Sequence, residues 1–273
     1  MVAKANAKVR PFFKLTKNFE DFFYLCRAIW CFMIEKFDGI VLRTLKYSDN
    51  LMIADMYTRE YGRLSFLVPV SRSKRSRVRT VLFQPLSMLS FTANFKKEKT
   101  LSRINDVQPY TMYSTIPFDA VKSSISLYLS ELLTYALKEE GKDEALFNFL
   151  DRSFVFFDSL EHGYADFHLV FMVQLLHYLG IYPNLESATP HSYFDLVHGC
   201  TVREHPLHAD FLMPADAQPF IALLQTGYES MHLLSYNRKL RGEYLAILCK
   251  YYSIHIPDFP TLKSVEVLRE LFD

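Results

Sequence analysis

The chain has 273 residues, half of them hydrophobic, with Phe and Tyr abundant and Gly scarce, the composition of a compact, mostly helical protein and not of a disordered one. The net charge of +1 conceals unlike halves: residues 33–109 carry fourteen Lys and Arg against seven Asp and Glu, residues 1–32 are also basic, and the remainder stands at −10. Charge divided in this way predicts a polyanionic partner for the front of the chain and not for the back.

Residues 1–32 run from a basic start into an aromatic stretch. A secretion signal is not expected, because Glu20 and Asp21 precede the apolar run, Arg27 interrupts it, and no small-x-small cleavage site follows. We read them as an N-terminal extension or a misassigned start, with Met33 as the initiator. No uninterrupted apolar run reaches the roughly 18 residues of a membrane span. Cys26, Cys31, Cys200 and Cys249 form no CxxC pair, which points to a reducing compartment and a cytoplasmic protein.

From Met33 short β-type runs alternate with turn residues, and strands are predicted over 39–45, 51–57, 63–68, 85–92 and 100–107. The turn YSDN at 47–50 and the pair Tyr61-Gly62 suit the joints. Five such strands over 33–109 fit an OB-fold β-barrel. Between the third and fourth strands Arg72, Lys74, Arg75, Arg77 and Arg79 are spaced mainly by Ser and Val, and Lys96, Lys97 and Lys99 sit at the last turn. Loop cations of this kind reach successive phosphates without reading bases. Arg43, Lys46 and Arg63 are further DNA-binding candidates. Tyr47 is the candidate for base stacking, while Phe66 and Phe91 are expected in the core.

Beyond residue 110 the period becomes helical. AVKSSISLYLSELLTYALKEEG opens the pattern and is predicted to stop at Gly141. EALFNFLDRSFVFFDSL, ADFHLVFMVQLLHYLG, AQPFIALLQTGY, RKLRGEYLAILCKYYSIH and LKSVEVLRELF continue it, so residues 110–273 read as an α-helical domain and the whole as an α+β protein. Phe147, Leu150, Phe154 and Phe157 have the spacing of a packed core stripe. Residues 182–219 form a weakly periodic insert in which His191, His198, Cys200, His205 and His208 lie close in sequence. Their intervals lack the recurrent spacing of a zinc knuckle, and no metal or other cofactor is expected. Arg238, Lys239 and Arg241 make a small basic island in the acidic half.

An enzyme is not expected. The sequence contains no GxxxxGK[ST] phosphate loop, no GxGxxG, no HExxH and no GxSxG elbow. The barrel's acids are too few, and too mixed with bases, for a two-metal nuclease. The competing reading is an adaptor that binds proteins through its helices, with the basic loops serving solubility; salt-dependent retention of DNA separates the two.

Several blocks then carry a resemblance: DGIVLRTLKYSDN (38–50), YTREYGRLSFLV (57–68), the SRSKRSR after it, QPLSMLSF (84–91), and YYSIH with LKSVEVLRELF near the end. In order and spacing they resemble the bacterial RecO family from about Met33 to the C-terminus. The resemblance implies binding to single- and double-stranded DNA, strand annealing without covalent catalysis, and action with RecR, often with RecF, in loading RecA onto DNA coated by the single-stranded-DNA-binding protein. It also implies docking of that protein's acidic C-terminal tail, for which Arg238 and Arg241 are the candidates. Many members carry a four-cysteine zinc knuckle, and the segment around YFDLVHGC departs from it, keeping only Cys200 nearby. Packing of Tyr193, Phe194 and Phe211 is expected to hold the segment instead.

Overall fold

The computed structural model describes residues 33–70, 78–95, 101–138, 140–234 and 236–271. Strands β1 (Met33–Ser48), β2 (Leu51–Thr58), β3 (Gly62–Pro69), β4 (Met88–Phe95) and β5 (Ser102–Pro109) close into a barrel in the order β1-β2-β3-β5-β4. All pairings are antiparallel except β3 with β5, which run parallel through Phe66↔Ser102 and Leu67↔Arg103. This is the OB-like barrel expected from the strand spacing. Period-2 alternation divides β1 and β2 between two cores. Phe37, Val41, Ala54 and Met56 point into the barrel, whereas Ile40, Leu42 and Tyr57 join the helical core. Inside the barrel Phe37 stacks on Phe91 at 5.3 Å, and Phe66 meets Phe91 edge-on at 4.8 Å.

Strand boundaries differ from the sequence-based expectation, most of all at β4 and β1. The fourth strand begins three residues late, at Met88, because Leu86 adopts a left-handed conformation (φ 62°) and buries its side chain in the helical core. Its amide donates to the Val41 carbonyl at 2.9 Å, and the Val41 amide donates to Ser87 at 2.9 Å, so the chain turns sharply before pairing resumes. A non-glycine residue in that region costs about 1–2 kcal/mol, here offset by complete burial of a leucine. The first strand also runs longer than 39–45, starting at Met33 and reaching Ser48.

Six α-helices follow among the described residues: α1 (Ala120–Ala136), α2 (Glu144–Ser159), α3 (Phe167–Tyr178), α4 (Pro214–Leu224), α5 (Arg238–His255) and α6 (Ser264–Leu271). Asp119, Asp143 and Asn237 cap α1, α2 and α5, each accepting an orphan amide. Helix α3 is buried over most of its length, with Phe167, Phe171 and Leu175 fully enclosed. Helix α1 ends at Ala136 rather than at Gly141. The residues after it unwind, and this frees the carbonyls of Glu140 and Gly141 to accept bonds from the barrel. Residues 182–219 are more ordered than expected: β6 (Tyr193–Asp195), β7 (Cys200–Val202) and β8 (Phe211–Leu212) form a small sheet in the order β7-β6-β8. No helix among the described residues is long and apolar enough to cross a membrane.

Candidate nucleic-acid interface and basic pocket

The near end of β3 belongs to the seam between barrel and helices. Arg63 is largely enclosed there, its side chain 15% exposed. The guanidinium lies 3.4 Å from Asp55 Oδ2 and donates to the Thr134 carbonyl of α1. Burial acts to raise the Asp55 carboxyl, but the Ser65 hydroxyl and the Arg43 and Arg63 guanidiniums outweigh it and hold the group below its ordinary value. Arg59 crosses the same seam, donating to Asn148 Oδ1 at 2.8 Å and stacking over the Phe147 ring at 4.3 Å. Both arginines therefore secure the seam, although their sequence neighbourhood reads as basic surface.

The far end of β3 lies about 23 Å away along the strand. There the Val70 amide donates to the Asn50 carbonyl at 2.8 Å, so the point where segment 71–77 leaves the barrel adjoins the β1–β2 hairpin tip. Leu67, three residues earlier, is in register with Arg103, just after segment 96–100 rejoins it. Roots of the two densest basic segments thus sit about 10 Å apart along one strand. Arg72, Lys74, Arg75 and Arg77, and Lys96, Lys97 and Lys99, lie outside the described residues.

The surrounding rim is described. A register shift between Lys46 and Ser48 leaves Tyr47 out of the ladder at the hairpin tip, and its side chain is 61% exposed. Lys46 is exposed and within 3.2 Å of Asp49. Arg43, farther back along β1, is partly exposed, its Nε 2.6 Å from the Asp55 Oδ2 that Arg63 also meets. Arg79 and Arg103 are exposed. Phe66 and Phe91 are buried in the barrel and face no solvent.

A second basic feature forms where α5 packs near α6. A pocket of about 530 Å³ is lined by Arg238, Lys239, Arg241, Leu245, Leu268 and Arg269, among others. Leu245 and Leu268 are buried and give it an apolar floor, while Arg238, Lys239 and Arg269 are exposed at the rim. Arg241 is held in place, its Nε donating to Asp166 Oδ1 at 2.6 Å and its other end to the Tyr236 carbonyl at 3.0 Å. Burial raises the Asp166 carboxyl, and Arg241 opposes that rise. Arg238 and Arg241 come together as their spacing suggested. Sequence reasoning missed Arg269 and both leucines, because the terminal helix reads only as an amphipathic stretch until its packing is known.

A closed OB-type barrel joined by a polar and aromatic seam to an α-helical body is the architecture that defines the class. Comparison with known proteins identifies the family within it. The model for the N-terminal part of recombination protein O matches residues 33–113, and the model for its C-terminal part matches residues 117–264. The chain is 45% identical over 240 residues to DNA repair protein RecO of Phocaeicola vulgatus, covering 88% of this chain and all of that protein. It is 43% identical over 242 residues to DNA repair protein RecO of Bacteroides fragilis, again across its full length. A counterpart in Flavobacterium psychrophilum shares 33% identity over 239 residues, which is 87% of this chain and 98% of the other. The chain belongs to the recombination protein O family of DNA repair proteins.

Proposed function

We propose that this chain binds single- and double-stranded DNA through the far end of its barrel and brings complementary strands together, with no covalent chemistry of its own. The observation that carries the reading is that the described roots of two basic segments lie together on the last residues of β3, beside a hairpin tip bearing Lys46 and the exposed ring of Tyr47. Arg72, Lys74, Arg75, Arg77, Arg79, Lys96, Lys97 and Lys99 bind phosphates; Arg43 and Lys46 extend the surface, and Tyr47 stacks on a base. Neutralising two strands at once lowers their repulsion and favours annealing. Arg63 takes no part in this surface, since it is committed to the seam.

Residues 33–109 act as the DNA-binding unit and 110–273 as the protein-binding unit. In this reading the protein works in the cytoplasm with RecR, and with RecF, to load RecA onto DNA covered by the single-stranded-DNA-binding protein. That protein's acidic C-terminal tail docks in the pocket at Arg238 and Arg241, its carboxylates meeting guanidiniums and its apolar side chains meeting Leu245 and Leu268. Membership of the DNA repair family supports these assignments.

Binding of a labelled oligonucleotide to the full chain, single-stranded and duplex, over a series of salt concentrations tests the reading. Steeply salt-dependent binding to both, without cleavage, is expected. Failure to bind at low salt would leave the protein-only adaptor.

A further inference from the structure

The small sheet gathers three side chains that could be taken for a metal centre. Among the described residues, Asp195, His198 and His208 bring one potential ligand atom each within 4.8 Å of one another. Many members of the family carry a four-cysteine zinc knuckle in the helical domain that this sequence lacks, so whether this cluster suits a metal rests on its own donors. Cys200 is not part of it.

Hydrogen bonding decides against a metal. Oδ1 of Asp195 accepts the amides of Val197 at 2.9 Å and His198 at 3.0 Å. Oδ2 receives His198 Nδ1 at 2.8 Å and His208 Nε2 at 3.1 Å. A carboxylate offers about four lone-pair positions, and all are in use. The second constraint comes from His208, whose Nδ1 accepts the Asp210 amide at 3.2 Å. A neutral imidazole that accepts at Nδ1 carries its proton at Nε2. A histidine ligating a metal through Nε2 has the reverse arrangement, donating its Nδ1–H to an outer partner.

We infer that Asp195 is the hub of a metal-free clip, its four acceptor positions filled by the Val197 and His198 amides and the two imidazoles, which does the fastening a zinc knuckle does elsewhere. The clip has a mechanical reason. It ties the turn between β6 and β7 to the segment that precedes β8, reinforcing the backbone bond from the Leu196 amide to the Asp210 carbonyl at 3.0 Å. The clipped sheet is then fixed to α5, where His255 Nε2 bonds the Leu196 carbonyl at 2.8 Å and Lys250 pairs with Asp210. Helix α5 also carries Arg238 and Arg241 at its other end, so the clip steadies the support of the basic pocket.

Nitrogen-detected NMR of the histidine rings in the full chain, together with metal analysis of protein purified without chelator, tests this inference. The expected result is an Nε2–H tautomer for His208, no stoichiometric zinc, and an unfolding temperature unchanged by a chelator. His208→Ala should lower the unfolding temperature equally with and without chelator. An Nδ1–H tautomer for His208, or one zinc per chain whose removal lowers the unfolding temperature, would overturn it. The wild-type spectra decide the matter even if variants fold poorly.

Discussion

Gly62 of the barrel lies directly against Gly141 beyond α1: a Cβ built on Gly62 would stand 2.2 Å from the Gly141 carbonyl oxygen. Gly62 also has φ +74°, a conformation that disfavours side chains. The contact lets the Arg63 amide donate to the Glu140 carbonyl at 3.3 Å and the Tyr57 hydroxyl to Gly141 at 3.1 Å. Gly62→Ala is therefore expected to destabilise by about 3 kcal/mol, from the left-handed conformation and from displacement of a backbone that carries two bonds. Gly141→Ala, whose Cβ would meet nothing within 4 Å, should change stability by less than about 1 kcal/mol. Denaturant unfolding of the two variants checks the contrast.

Asp158 near the end of α2 holds the connection between barrel and helices. Its carboxylate accepts the amides of Ser114, Thr115 and Ile116 at 2.7, 2.8 and 2.9 Å, and the Ser114 hydroxyl at 2.8 Å. Burial works to raise this group, yet the amide donors prevail and hold it down to about 2. A depressed carboxyl contributes stability that is fully present above its ordinary value, near 4, and lost as pH falls through about 2. Loss of the wild-type's stability over that window should be smaller in Asp158→Asn. At neutral pH Asp158→Ala leaves three amides without their acceptor and should cost about 3 kcal/mol, measurable by denaturant unfolding.

At the pocket between α5 and α6, an acidic peptide ending in an apolar residue with a free carboxylate should bind the full chain, more weakly as salt rises. Arg238→Ala and Arg269→Ala should each weaken it about tenfold, equivalent to about 1.4 kcal/mol, while leaving oligonucleotide binding unchanged. Arg241→Ala should also lower stability, because it strands Asp166 in the body. Fluorescence anisotropy with the labelled peptide checks the first effect and thermal unfolding the second.

The hairpin tip offers a separate handle. Tyr47→Ala removes an exposed ring that packs in no core, so stability should be nearly unchanged. Single-stranded binding should weaken by about 1–3 kcal/mol, the worth of one stacked base, and duplex binding by less. Titration of both substrates into the variant measures the difference.

Legibility in the sequence followed the range of the forces involved. Helix α5 begins and ends where RKLRGEYLAILCKYYSIH does, because Asn237 supplies a local cap and the apolar period is strong. The barrel's five strands were visible from alternation, but the start of β4 was not, since Leu86 is turned by a bond to Val41 some forty-five residues earlier in the chain. Helix α1 stops early for the same kind of reason: beyond its end the carbonyls of Glu140 and Gly141 accept from Arg63 and Tyr57 of the barrel. At the candidate sites, Arg63 was indistinguishable from surface arginines until Asp55 and Thr134 were seen around it. Asp195 gave no signal among the histidines near it, because its role is to accept from four donors that only the folded turn brings together.

If the basic segments rooted at the far end of the barrel bind DNA by neutralising phosphates, the salt dependence of oligonucleotide binding measures it. The protein with Arg72, Lys74, Arg75 and Arg77 all changed to Ala should bind more weakly at every salt concentration, with the slope of log affinity against log salt reduced by about 3. Unchanged affinity and slope in a folded variant would contradict the assignment of DNA binding to this end of the barrel.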